Sequence, residues 1–125
     1  MKKNILVIDD DPVAQQMIVS LLEAEGHAAV ASLNFEDALR RARQTTPDLV
    51  LIDVVMPDIT GFDACRKIKQ MFQPNPPPVI VMTGKLDAVD PVLARIMGAD
   101  DFVVKTSDYA VLLQAVRKIL SRDHD

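Results

Sequence analysis

The chain has 125 residues, of which 49% are hydrophobic, and 14 Lys and Arg stand against 18 Asp and Glu for a formal net charge of −4. This length suits one domain with a single core, and the hydrophobic fraction argues against a disordered chain. The acidic balance disfavours nucleic acid as a direct partner.

Features of export and membrane insertion are missing from the sequence. The single cysteine, Cys65, cannot form an internal disulfide, and the first residues lead into an apolar run too short for a signal peptide. No apolar stretch approaches the roughly 20 residues that a membrane helix needs. We therefore expect a cytoplasmic protein without membrane insertion.

The first part of the chain alternates short apolar runs with amphipathic segments. The run Ile5–Ile8 predicts a first strand, after which Asp11 and Pro12 predict the cap and first turn of a helix. The small residues Ala28–Ala31 predict a second strand that suits a sheet edge. Asn34 is expected to cap a second amphipathic helix.

The segment Leu49–Asp53 is the centre of the chain. Its four apolar residues show no polar alternation, which is typical of a strand buried on both faces of a parallel sheet. The strand ends on a carboxylate, and a loop leads from it to Gly61. A third helix is expected after this loop, with Phe62 and Cys65 on its apolar stripe.

Two further apolar runs, Val79–Met82 and Phe102–Val104, predict the last two strands. A helix is expected between them from near Asp90, and Ser107 is expected to cap a last helix through Leu120. Five strands that alternate with five helices indicate a doubly wound α/β fold with a five-stranded parallel sheet. Right-handed crossovers leave few strand orders for such a sheet.

Polar residues directly follow four of these strands. They are Asp9 and Asp10 after the first strand, Asp53 at the end of the third, Thr83 after the fourth and Lys105 after the fifth. In open α/β sheets the ligand crevice lies outside the carboxyl ends of the strands. We therefore expect three acids, a hydroxyl and an ammonium group at one end of the sheet.

Three neighbouring carboxylates repel one another, and one of them would stay protonated at neutral pH unless a cation lay between them. Mg²⁺ resolves this repulsion, because it binds one or two carboxylates, several waters and a phosphate oxygen; Mn²⁺ is an alternative. Asp53 is the natural nucleophile, since a carboxylate can accept a phosphoryl group. The Lys105 ammonium and the Thr83 hydroxyl suit phosphoryl oxygens.

Four segments together resemble the signature of the response-regulator receiver domain, the phosphoacceptor module of two-component signalling: Leu6–Asp11, Asp53–Pro57 with Gly61, Met82–Gly84 and Gly98–Lys105. The resemblance covers essentially the whole chain. It implies a flavodoxin-like sheet with strand order 2-1-3-4-5, for which the chemotaxis member of the family is a known example. We expect one receiver domain over residues 1–125, without an output domain in these residues; it would be either a stand-alone regulator or a receiver from a longer protein.

The resemblance implies a role for each acid. Asp53 would be the phosphoacceptor, and Asp9 and Asp10 would hold Mg²⁺ together with Asp53 and the backbone carbonyl of Val55. The donor would be a sensor histidine kinase or a histidine phosphotransfer protein. The protein would not be an enzyme beyond its own phosphorylation and dephosphorylation.

The resemblance also implies a switch. Thr83 and Lys105 would contact the phosphoryl group, and Phe102 matches the aromatic residue that changes rotamer when Thr83 is drawn inward. The signal would pass to a downstream protein through the face formed by the fourth helix, fifth strand and fifth helix. No direct contact with nucleic acid is expected.

Three positions depart from the usual pattern of the family. Thr106 stands where the family usually has proline, so we expect a trans Lys105–Thr106 bond, because a cis bond before a residue other than proline costs about 2.5–4 kcal/mol. Val55 and Lys85 lack the groups that would orient a hydrolytic water. We therefore expect slow hydrolysis of the acyl phosphate and a long-lived phosphorylated state.

Three alternatives belong to other functional classes. An aspartyl-phosphate phosphatase of the haloacid dehalogenase type needs a second acid, as general acid, two residues after the nucleophile, and this chain has Val55 there. A flavodoxin-like FMN carrier needs a phosphate-binding loop after the first strand, where Asp9–Asp11 would repel phosphate. A phosphorylation-independent interaction module is the third alternative, and Mg²⁺-dependent labelling would distinguish it.

Overall fold

The computed structural model describes residues 2–84 and 90–122. The strands are β1 (Asn4–Ile8), β2 (Ala28–Ser32), β3 (Leu49–Asp53), β4 (Val79–Thr83) and β5 (Asp101–Val104). The helices are α1 (Pro12–Ala24), α2 (Phe35–Gln44), α3 (Gly61–Met71), α4 (Pro91–Ile96) and α5 (Ala110–Ser121). Within the described ranges, no helix combines the length and apolarity that a membrane span requires.

The five strands form one sheet in the order β2-β1-β3-β4-β5, and every neighbouring pair is parallel. This confirms the predicted fold and strand order. β3 lies at the centre, where Val50 is in register with Leu6 of β1 and Val79 of β4. The small-residue strand β2 is at an edge, as its composition indicated.

Successive residues of the inner strands point to opposite faces of the sheet, and each face carries its own core. On one face α1 and α5 cover residues such as Val7 and Leu51. On the other, α2, α3 and α4 cover residues such as Ile8 and Ile52. All five residues of β3 are buried, which explains why its sequence lacks polar alternation.

Side-chain caps begin two of the helices where the sequence predicted them. The Asp11 carboxylate accepts a hydrogen bond from the Val13 amide at 3.0 Å, and the Asn34 side chain accepts one from the Asp37 amide at 2.8 Å. Each cap satisfies an amide that has no partner inside its helix. These caps fix where the chain leaves the carboxyl ends of β1 and β2.

The prediction that Ser107 caps the last helix is wrong. The helix begins at Ala110, and its cap residue Tyr109 is in the left-handed region at φ 59°. The first helical amide instead donates to the Asp108 carboxylate at 3.0 Å. Residues 107 and 108 lie in a turn, and this turn brings the carboxylate rather than the serine hydroxyl to the start of the helix.

Cys65 lies fully buried on α3, and its Sγ donates to the carbonyl oxygen of Met97 at 3.6 Å. Burial raises the pKa of the thiol from 9.0 to about 11.

The raised pKa of Cys65 predicts slow alkylation. The thiolate is the reactive form of cysteine, and at a pH below the pKa its fraction falls about tenfold for each unit by which the pKa rises. Alkylation by iodoacetamide near neutral pH should therefore be at least about a hundredfold slower in the folded protein than in denaturant. Equal rates, followed by intact mass, would contradict the burial of this thiol.

Candidate functional site

The predicted site residues meet at the carboxyl end of the sheet. Because β1, β3, β4 and β5 are parallel, the residues that follow them emerge at one edge. The adjacency of β1 and β3 places Asp9 and Asp10 beside Asp53, and carboxylate oxygens of all three lie within 4.8 Å of one another. The sequence expectation that these acids converge is thus met by the geometry.

The three acids differ in burial. Asp9 is 0% exposed and Asp53 is 7% exposed, whereas Asp10 is exposed to solvent. Burial raises the pKa of the Asp9 carboxyl, and the contacts with Lys105 and the Asp11 amide only partly offset this. Two nearly buried carboxylates beside a solvent-exposed third match the all-oxygen, partly hydrated surroundings that Mg²⁺ prefers.

Lys105 lies between the two buried acids. Its Nζ donates to Asp9 Oδ2 at 2.8 Å and to Asp53 Oδ2 at 3.0 Å, and its side chain is 12% exposed. Burial alone would lower the pKa of this ammonium, but the hydrogen bond and charge of Asp9, with those of Asp53, raise it overall. The ammonium therefore stays charged and offsets part of the repulsion between the two acids.

Backbone amides hold the second oxygen of each buried acid. Asp9 Oδ1 accepts from the Asp11 amide at 3.0 Å, and Asp53 Oδ1 accepts from the Val55 amide at 3.1 Å. Each carboxylate is therefore oriented through one oxygen by an amide two residues later in the chain, and through the other oxygen by the Lys105 ammonium. Val55, whose amide binds Asp53, is 50% exposed to solvent.

Gly61 sets the path of the chain behind Asp53. Its amide donates to the Val54 carbonyl oxygen at 2.8 Å, which closes the loop between β3 and α3. A Cβ at this position would lie 2.2 Å from the Asp53 carbonyl oxygen, far inside van der Waals contact. The sequence identified this glycine as part of a motif, but only the structure reveals the steric reason for it.

Thr83 and Lys105 are joined through their backbones at the end of the sheet. The Lys105 amide donates to the Thr83 carbonyl oxygen at 2.7 Å, and Thr83 is 1% exposed. Phe102 is half-buried, and its ring stacks on that of Phe62 with centroids 5.8 Å apart and an interplanar angle of 21°. The aromatic residue predicted to switch is thus packed against α3 in this structure.

The loop after β5 carries the departure from the family pattern. Gln73–Pro74 is the cis bond among residues 2–84 and 90–122, so Lys105–Thr106 is trans, as predicted. The Thr106 hydroxyl donates to the Asp108 carboxylate at 3.0 Å, which restrains this loop without a proline ring. The prediction about Lys85 lies outside the described residues.

Comparisons with known proteins agree with this geometry. A family model described as the response regulator receiver domain matches residues 5–117. Protein PilH of Pseudomonas aeruginosa is 35% identical over 118 residues, which cover 94% of this chain and 98% of PilH. The DNA-binding response regulator MtrA of Mycolicibacterium smegmatis is 37% identical over all 125 residues of this chain. The match covers 54% of MtrA, so the chain spans about half the length of that relative.

A solved structure shares the fold. The response regulator TrrA from Thermotoga maritima, in complex with Mg²⁺-BeF, superimposes with a TM-score of 0.83 at 29% identity. The match covers 94% of this chain and 98% of TrrA. A divalent cation and a beryllium fluoride group are therefore bound by a protein with the same architecture.

Proposed function

Since the chain belongs to the response regulator receiver family of two-component systems, we propose that it accepts a phosphoryl group on Asp53 in the cytoplasm. The donor is the phosphohistidine of a sensor kinase or of a histidine phosphotransfer protein. The phosphorylated protein then changes its contacts with a downstream protein. Its only covalent chemistry is on itself, so it acts as a signalling module rather than a classical enzyme.

The observation that carries this proposal is the environment of the Asp53 carboxylate. Oδ1 is held by a loop amide and Oδ2 by the Lys105 ammonium, beside two further acids. In the transfer, a carboxylate oxygen attacks phosphorus and forms the acyl-phosphate bond. The phosphorus–nitrogen bond of phosphohistidine breaks, and its electron pair returns to the imidazole nitrogen. Positioning and charge neutralisation supply most of the catalysis of such a transfer.

Asp9, Asp10, Asp53 and the Val55 carbonyl would hold the divalent cation, Mg²⁺ or as an alternative Mn²⁺. Among residues 2–84 and 90–122, the three acids have one neighbouring ammonium, that of Lys105, and the net negative charge of this group fits a hard cation. When bound, the cation neutralises negative charge on the phosphoryl oxygens. Lys105 would exchange a carboxylate contact for a phosphoryl oxygen, which is a further charge-assisted hydrogen bond.

Thr83 and Phe102 would convert phosphorylation into a change of surface. The Thr83 hydroxyl would bind a phosphoryl oxygen, and the Phe102 ring would leave its stack on Phe62 for a second rotamer. The face of α4, β5 and α5 would then present a different surface to a protein partner. We do not expect direct contact with nucleic acid or membrane insertion, and the long lifetime predicted from Val55 stays a prediction.

The rival functions lack support from the site. A phosphatase of the haloacid dehalogenase type would need an acid where Val55 stands, and the valine has no proton to give. A phosphorylation-independent interaction module would have no need for a lysine shared by two buried acids. Mg²⁺-dependent labelling separates this module from a phosphoacceptor.

Incubation with a small phosphodonor and Mg²⁺ should add one phosphoryl group to the intact mass of the wild type. The Asp53→Asn variant should gain none, because its amide is a poor nucleophile, and removal of Mg²⁺ with EDTA should abolish labelling of the wild type. Asp63→Asn, which alters a carboxylate of α3 outside the acidic cluster, should label normally. Equal labelling of wild type and Asp53→Asn would overturn the assignment.

A further inference from the structure

Asp58 binds the start of a helix that is remote from it in sequence. Its carboxylate accepts hydrogen bonds from the Phe35 amide, at 3.1 Å to Oδ2, and from the Glu36 amide at 3.2 Å. The next amide of α2, that of Asp37, is capped by Asn34. The carboxylate also meets the positive end of the helix dipole, which strengthens both hydrogen bonds.

This contact holds a loop that belongs to the acceptor site. Residues 54–60 connect Asp53 to α3, and at the base of the loop the Gly61 amide binds the Val54 carbonyl oxygen. Within the part of the chain that the structure describes, Asp58 makes the only hydrogen bonds between the tip, residues 56–59, and the rest of the protein. Met56 and Ile59 add apolar contacts, which are less directional.

The start of α2 is also linked to Asp9, through Ser32 of β2. The Ser32 carbonyl oxygen accepts from the Asp9 amide at 3.1 Å, and the Ser32 hydroxyl donates to the Asp37 carboxylate at 2.8 Å. The amino-terminal end of α2 is therefore linked through Ser32 to the segment that carries Asp9, and through Asp58 to the loop that carries Val55. These two segments carry ligands of the proposed cation site.

We propose that Asp58 is a positioning residue, which holds the Val55 carbonyl at the correct separation from Asp9 by anchoring the loop to the start of α2. The inference rests on the proposed function, because it concerns the cation that phosphorylation requires. Asp58 itself is not a ligand and lies outside the acidic cluster. It acts through the loop, as hydrogen-bond partners of metal ligands commonly do.

The test is the affinity for Mg²⁺ alone, measured by calorimetric titration of the full chain. Asp58→Ala should bind Mg²⁺ roughly tenfold more weakly than the wild type, which is the lower range of effects for residues that position metal ligands. Asp58→Asn should recover most of this loss, because its side-chain oxygen still accepts from one helix amide and asparagine is a good helix cap. Chemical denaturation without Mg²⁺ checks that each variant is folded under the titration conditions. A loss of affinity in Asp58→Asn as large as the tenfold loss expected for Asp58→Ala would contradict a role for the helix-capping oxygen, so the asparagine variant tests the proposal even if the alanine variant folds poorly.

Asp48→Ala is the matched control. The Asp48 carboxylate also accepts a hydrogen bond from a backbone amide, that of Asn4 at 2.8 Å, but at the opposite end of the sheet. Its loss should leave Mg²⁺ affinity unchanged. Equal affinity of Asp58→Ala and wild type, or an equal loss in both alanine variants, would overturn the positioning role while Asp53 labelling persists. A wild type without affinity for Mg²⁺ would overturn the proposed function as well.

Discussion

Replacement of Lys105 by methionine should lower the free energy of unfolding by about 3 kcal/mol in metal-free buffer, because removal of one partner leaves buried charge uncompensated. Methionine keeps the length of the side chain and removes only the ammonium that joins Asp9 to Asp53. Asp9 is 0% exposed in the native protein, so loss of the ammonium leaves a buried carboxylate without its counterion. Chemical denaturation with and without EDTA measures the effect.

Mg²⁺ should stabilise the Lys105→Met variant more than the wild type, because a cation among the acids replaces the missing positive charge. Arg117→Met is the control: Arg117 forms an exposed ion pair with Glu25 on the α1 and α5 side of the molecule, and its loss should change stability little. Similar small losses in both variants, without a difference in the response to Mg²⁺, would contradict the account of Lys105 as the central counterion.

Replacement of Gly61 by alanine should destabilise the protein by about 3 kcal/mol, at the upper end of the usual cost of overpacking. The new methyl group would lie 2.2 Å from the Asp53 carbonyl oxygen and 2.8 Å from Val54 Cα. Both are backbone atoms, so no side-chain rotation relieves the overlap. Either the end of β3 or the loop at position 61 must shift instead, and both adjoin the phosphoacceptor. We expect phosphoryl labelling of any folded fraction to fall as well.

Gly84→Ala provides a matched comparison for Gly61→Ala. Its Cβ would meet Lys105 Cε at 3.8 Å, which is ordinary van der Waals contact. Its free energy of unfolding should therefore remain within about 0.5 kcal/mol of the wild type. If the two alanine variants unfold at the same denaturant concentration, the close approach between the loop and β3 is incorrect.

The fold was predictable because its signals are local and repeated. Leu49–Asp53 has no polar alternation, and the structure buries it on both faces. Asp11 and Asn34 are strong capping residues, and both cap the expected helices. The meeting of Asp9 with Asp53 followed from parallel strands, whose carboxyl ends share one edge of the sheet. The convergence of these acids follows from the places of their strands in the sheet, so it could be predicted without knowledge of side-chain contacts.

The rest depended on contacts that no local pattern encodes. Ser107 is a plausible helix cap, but the left-handed Tyr109 delays the helix and gives that role to Asp108. Asp58 is an ordinary loop acid in sequence, and its helix-capping contact joins residues 23 positions apart. The stack of Phe62 on Phe102 joins α3 to β5 and likewise depends on the tertiary structure. Such contacts decide how the site is held, whereas the sequence pattern predicts which residues form it.

The most direct measurement of the central claim is the position of the phosphoryl group. Borohydride reduces an acyl phosphate to an alcohol, so a phosphorylated aspartate becomes homoserine and can be located by peptide mass spectrometry. After Mg²⁺-dependent labelling, we predict homoserine at position 53 and unchanged aspartate at positions 9 and 10. Homoserine at Asp9 or Asp10, or labelled protein with aspartate intact at all three positions, would contradict the assignment of Asp53 as the phosphoacceptor.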